Sequence, residues 1–172
     1  MDFANLPYLQ DGDFQLTETL PICLYVAKRS GDASLLFNDQ NMARFFELCG
    51  VIRDINMAFT MSGYQAQNEE EFRAKITSAA TGNKDKLTSL NAILGKHKYV
   101  LGDHITVPDF MFAELIERIQ EIGKFLNVDF LADYANLKTY LENYINLPKI
   151  KAFREKPEYK HGPWNSSYAF WK

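Results

Sequence analysis

Cysteine is scarce: Cys23 and Cys49 are the only two in 172 residues. Both sit in helix-like apolar stretches with no paired spacing. They are expected to pack as small hydrophobes in a reduced, cytoplasmic compartment. The three histidines, His97, His104 and His161, show no metal-ligand spacing and are expected on the surface. An excess of one charge is missing as well. Nineteen Lys and Arg against 22 Asp and Glu give −3, which removes the basic footprint of a nucleic-acid binder. No apolar run approaches the roughly 18 residues of a membrane span. Asp2 and Pro7 near the start, with no basic flank before an apolar stretch, argue against a secretory signal. Internal repeats and low-complexity segments are absent. What is there is 47% hydrophobic and 24% charged, enough apolar material for a core in a mostly helical, soluble domain.

Leu6-Pro7-Tyr8-Leu9-Gln10 and Asp13-Phe14-Gln15-Leu16 flank Asp11-Gly12. That pair suits a two-residue hairpin, because primed turns need φ > 0. Thr17 to Thr19 offers a helix cap, Pro21 suits a first turn, and Ile22, Tyr25 and Val26 follow at helical spacing to Ser30-Gly31. Two strands make no stable sheet alone, so this unit must lean on another. After Gly31-Asp32 everything reads as helix. Residues 39–63 place Met42, Phe45, Phe46, Cys49, Ile52, Met57 and Phe59 on an apolar stripe. Asn68 caps a short helix whose first turn is Glu69-Glu70-Glu71, and another helix covers 84–94 with Gly95 as its stop. Thr106-Val107-Pro108-Asp109 opens the central core helix as a capping box, with aspartate in place of the usual glutamate. Phe112, Leu115, Ile116, Ile119 and Ile122 then recur at i, i+3, i+4 spacing. A helix from Asn136 carries Leu137, Tyr140, Leu141, Tyr144 and Ile145 and stops at Leu147-Pro148, and Lys156 to Lys172 reads as an ordered coil on the surface. The sum is five or six helices and a β-hairpin.

In this order and spacing the pieces resemble the cytosolic glutathione transferases. Asn5-Leu6-Pro7-Tyr8-Leu9, the Asp11-Gly12 turn and Leu16-Thr17-Glu18-Thr19 resemble the second half of that family's thioredoxin-like domain. Leu94-Gly95-Lys96 and Gly102-Asp103-His104-Ile105-Thr106-Val107-Pro108-Asp109-Phe110 resemble the run that leads into its capped core helix. Tyr168-Ala169-Phe170-Trp171-Lys172 and Asp2-Phe3 point to the mu class. The resemblance runs the whole length and implies a mainly α fold. Residues 1–31 would be a hairpin-and-helix remnant of the thioredoxin-like domain, and residues 32–172 the all-α C-terminal domain. It implies conjugation of glutathione, as substrate, to small hydrophobic electrophiles. No metal or prosthetic group is implied, and the partner is a second copy or a related transferase-fold subunit. The family's thiolate-stabilising tyrosine belongs to the unit ahead of the position matched by Met1, so these 172 residues alone are expected to conjugate little. The alternative is a non-catalytic subunit, or a ligand-binding or structural protein, in a larger assembly.

Residue by residue, the resemblance implies that Leu6 precedes a cis-proline, Pro7, and offers its backbone to the cysteinyl part of glutathione, with Asn5 at the glycyl end. Glu18 and Thr19 fall on the pair that holds the γ-glutamyl group, which is Gln-Ser in the mu pattern. A hydroxyl and an N–H at a helix start suit a carboxylate, and Glu18 suits an ammonium. Asp54 matches the acid that reaches across the dimer toward that ammonium. Tyr64 matches a hydroxyl over the electrophile site, a general acid for epoxides and enones. Met57, Met61 and Trp171 would wall the same hydrophobic pocket. Phe3 matches an aromatic key inserted into the partner subunit, whereas Leu24 stands where mu enzymes carry an arginine at the two-fold axis. A dimer with an altered interface is therefore expected. Taken one at a time, these residues read equally well as a turn proline, a helix cap, a solvated acid, helix core and a core-edge tyrosine.

Overall fold

The computed structural model describes residues 3–160 and 162–172. Among these, strands β1 (Tyr8–Asp11) and β2 (Phe14–Thr17) precede helix α1 (Thr19–Arg29). A 3-10 turn at Ala33–Leu35 leads to α2 (Met42–Gln65), α3 (Glu69–Gly82) and α4 (Lys84–Leu94). Then come α5 (Val107–Leu126), α6 (Ala135–Ile145) and α7 (Pro148–Arg154).

The hairpin is antiparallel, with Tyr8 opposite Thr17 and Asp11 opposite Phe14. Its loop is therefore Gly12-Asp13, one residue later than Asp11-Gly12 suggests. Gly12 has φ 60, and glycine at the first loop position is the type II′ arrangement, which needs no second left-handed residue. Asp11 instead ties the hairpin to α1, accepting from Tyr25 Oη at 2.7 Å and pairing with Arg29 at 3.3 Å. Phe14 stacks on Tyr25 with centroids 5.0 Å apart. The expected threonine cap on α1 is not made. Glu18 occupies the cap position with φ 72 and ψ 131 and gives no side-chain cap hydrogen bond. Its carboxylate is used elsewhere.

Two apolar clusters organise the rest. The larger gathers α2, α3, α4, α5 and α6 around Ile52, Phe59, Phe72, Leu90, Phe112 and Ile116. The smaller joins Ala27 of α1 to Phe45, Cys49 and Val107, with Leu24 and Phe37 packed against it. Through it α1, to which the hairpin is tied, leans on the first turns of α2 and α5.

The buried stripe of α2 is Phe45, Leu48, Cys49, Ile52, Ile55 and Phe59. Met42, Phe46 and Met57 are exposed rather than inward. At about 100° per residue, Phe46 and Met57 fall opposite the Ile52 face, while Leu48 and Ile55 fall on it. The caps of α3 and α5 form as expected. Asn68 Oδ1 accepts the Glu71 N–H at 2.9 Å, and Glu71 Oε2 accepts from Gln67 N–H at 3.1 Å. Asp109 accepts from the Thr106 N–H at 2.8 Å and its hydroxyl at 2.9 Å.

Gly95 has the expected place after α4 but a different reason for being glycine. Its φ is −72, so no left-handed cap is involved. A Cβ there would lie 2.9 Å from Asn136 Nδ2, which donates to Asn91 O at 2.9 Å and bridges α4 to α6. Pro148 both follows α6 and opens α7, a helix that the sequence reading stops short of. Proline at the first helical position costs no hydrogen bond.

Candidate functional site

Two groups of predicted residues are brought together, in different parts of the fold. The first lies where β1 and α1 begin. The Leu6–Pro7 peptide is cis. Asn5 Oδ1 accepts the Leu6 N–H at 2.9 Å, and Asn5 Nδ2 donates to Glu18 Oε1 at 3.0 Å. Asn5 thus links the cis turn to the start of α1, where Thr19 is the first helical residue. Asn5, Leu6, Pro7, Glu18 and Thr19 are all exposed. Glu18 sits in a backbone region that costs a residue with a Cβ, and such strain concentrates at ligand-binding positions.

The second group is the outer face of α2. Asp54, Met57, Met61 and Tyr64 recur there at helical spacing, opposite the buried stripe. Met57 is 47% and Met61 38% exposed, so they form an open apolar surface rather than a closed cavity. Asp54 is held within its own chain by Lys86 at 3.0 Å. Tyr64 is half-buried, and its Oη accepts the Ser166 N–H at 3.2 Å. The Ser166 hydroxyl and N–H beside it, with help from the Arg118 charge, hold the phenol below its ordinary pKa. A lowered pKa suits a hydroxyl that gives up a proton.

Trp171 is not brought to this face. Its ring is 7% exposed, belongs to the larger core and stacks on Phe72 and Trp164. The aromatic of the tail that meets Tyr64 is Tyr168, with centroids 5.6 Å apart. Phe3, 78% exposed, touches neither group in any described contact. His97 and His104 are exposed, while His161 and Asp2 fall outside the described residues.

Sequence reasoning missed Arg118, Asn165 and Gly63, which fasten the tail beside Tyr64. The available signal was an arginine three positions after Leu115 and four before Ile122, on the inward side of α5. A groove of about 260 Å³ between α5 and the tail is lined by Glu114, Arg118, Tyr159 and Trp164 and by none of the predicted site residues. Among the described residues no group of three His, Cys, Asp or Glu stands ready to hold a metal. No helix among them is long and apolar enough to cross a membrane. Both thiols are free, and burial raises their pKa values, that of Cys49 to about 11. Neither is poised as a nucleophile at neutral pH.

Residues 53–157 match the family described as the glutathione S-transferase C-terminal domain. The chain belongs to the glutathione S-transferases. It is similar to glutathione S-transferase B of Cavia porcellus, 27% identical over 99% of this chain and 74% of the relative. It is also similar to the class-mu 26 kDa isozyme 51 of Fasciola hepatica, 29% identical over 96% of this chain and 72% of the relative. Among solved structures, the glutathione S-transferase Blo t 8 superimposes with a TM-score of 0.80 at 26% identity, covering 98% of this chain and 76% of that one. The transferase fold is mainly α with a small two-stranded sheet, and its likeness is to the mu class.

Proposed function

We propose that the chain is a mu-like glutathione transferase subunit, joining the sulfur of glutathione to small hydrophobic electrophiles. The observation that carries this is the relationship along nearly the whole chain to glutathione S-transferases named as mu class. The hairpin end supports it with suitable chemistry. Glu18 is an acceptor for the γ-glutamyl ammonium, and the start of α1 at Thr19 favours its carboxylate. The exposed backbone around Leu6 offers an edge to the cysteinyl part, with Asn5 beside it. The outer face of α2 would take the electrophile, with Met57 and Met61 as soft apolar walls and Tyr64 as general acid for epoxides and enones. The chain would work in the cytoplasm as a dimer, Phe3 packing into its partner and Asp54 exchanging Lys86 for the partner's ligand.

Thiolate formation is the demanding step. A free thiol with pKa near 8.5 is only a few per cent ionised at neutral pH. In the family a tyrosine hydroxyl hydrogen-bonds the sulfur, and none of the residues assigned here takes that role.

The test is conjugate formation from glutathione and an α,β-unsaturated ketone, followed by mass spectrometry, with the protein isolated from its source cells and its intact mass recorded. Acceleration over buffer supports the reading. No acceleration, together with no detectable glutathione binding, overturns it.

A further inference from the structure

We propose that Arg118 is a positioning residue for Tyr64, acting by clamping the C-terminal tail against α2. This rests on the reading of Tyr64 given above. Arg118 is 6% exposed on α5, and an arginine so buried is retained only with partners. Its Nη1 donates to Thr60 Oγ1 at 2.6 Å, one turn before Tyr64 on α2, and reaches Asn165 Oδ1 of the tail at 3.5 Å. Nη2 is held by Glu114 at 3.1 Å, and the guanidinium lies 5.5 Å over the Trp164 ring. Three segments of the fold, α2, α5 and the tail, are thus gathered at one side chain.

The clamp continues to Tyr64 without a gap. Asn165 Nδ2 donates to Trp171 O at 2.9 Å, which closes residues 165–171 into a loop. That loop is seated on α2 where the Phe170 N–H donates to Gly63 O at 3.0 Å. A Cβ on Gly63 would lie 2.8 Å from Asn165 Nδ2, so the tail comes this close only because position 63 is glycine. The neighbours of these two anchors then meet: the Ser166 N–H donates to Tyr64 Oη at 3.2 Å.

The chemical consequence is direction. A phenol that accepts a fixed N–H has one lone pair committed and its hydrogen turned elsewhere, and the same N–H stabilises the phenolate left after proton transfer. Loosening the tail removes both effects at once. The titratable and charged groups around this junction are Arg118 and its partner Glu114 from α5 and Tyr168 from the tail.

The test is a pH titration of tyrosine ring carbon resonances in the full chain, with Tyr64→Phe identifying the signal. Arg118→Lys keeps the charge but loses the planar fork that spans Thr60, Glu114 and Asn165. Gly63→Ala lifts the tail without touching any charge. Both variants are expected to move the Tyr64 midpoint up toward the ordinary phenol value near 10 and to shift the Ser166 amide signal. A folded Arg118→Lys chain with a wild-type Tyr64 midpoint overturns the proposal. Should Arg118→Lys fail to fold, Asn165→Ala decides in the same way. Turnover of an enone by Tyr64→Phe is read separately: undiminished turnover removes Tyr64 from the chemistry, while the resonance shifts still report on the clamp.

Discussion

Asp109 and Glu18 both stand at helix starts, and they are held in opposite ways. Asp109 is fully buried and accepts from Val100 N–H at 3.0 Å, from the N–H and hydroxyl of Thr106, and from Tyr140 Oη at 3.2 Å. Glu18 is exposed, accepts from Asn5, and lies on left-handed backbone. A buried carboxylate with every partner in place organises the fold around itself. An exposed one on strained backbone can exchange its partner for a ligand. On the proposed reading the helical part is built for its own stability, and the hairpin end for glutathione.

The sharpest way to test that contrast is Asp109→Ala. It strands three donors in the interior, while Tyr140 Oη keeps Asp109 O at 3.0 Å, and a loss on the order of 4 kcal/mol in urea unfolding is expected. A loss under about 1 kcal/mol would show the box to be dispensable. Next comes Gly123→Ala at the end of α5, where a Cβ would lie 2.5 Å from Val128 O. Backbone cannot swing aside as a side chain can, so about 2 kcal/mol should be lost.

At the hairpin end, stability and binding are expected to separate. Asn5→Ala should leave unfolding within about 0.5 kcal/mol of wild type while weakening glutathione binding roughly tenfold, the equivalent of about 1.4 kcal/mol. A stability loss as large as that of Asp109→Ala would erase the contrast. Phe3→Ala should leave the fold untouched and move sedimentation toward the monomer; an unchanged profile removes Phe3 from the interface.

Cys49 gives a pH-dependent check on the smaller core. With its pKa pushed up to about 11, at pH 8 its thiolate fraction is roughly 100-fold below that of a thiol near 9. Because the raised value favours the protonated thiol, alkylation of Cys49 in the folded chain should be slow at pH 8 and speed up as pH approaches 11. Alkylation of Cys49 at pH 8 as fast as in the unfolded chain would mean that α1 does not stay docked.

Local chemistry made much of this legible. The Thr106–Asp109 spacing, the Asn68 cap and the limits of α4 need only neighbours in sequence, and they form as the residues suggest. The hairpin was legible too, displaced by one residue because Gly12 alone carries the positive φ. Less was legible where a pattern permits two solutions. Along α2 the apolar residues spread round both sides of the helix, and the 100° period puts Leu48 and Ile55, not Phe46 and Met57, on the Ile52 face. Pro148 likewise marks an end and a beginning equally well.

The tail was the least legible part. Trp171 reads as a pocket wall until it is seen stacked on Phe72, ninety-nine positions earlier in the chain. Arg118 and Asn165, separated by 47 positions, carry no mark in sequence of the contact they share.

The most direct measurement is a titration of the isotope-labelled chain with glutathione, following backbone amide shifts. Shifts concentrated at Asn5, Leu6, Glu18 and Thr19, saturating at whatever concentration is needed, with the amides of Val100 and Thr106 unmoved, are the predicted result. Shifts absent from those four residues, or centred on the Arg118 groove instead, would contradict the account.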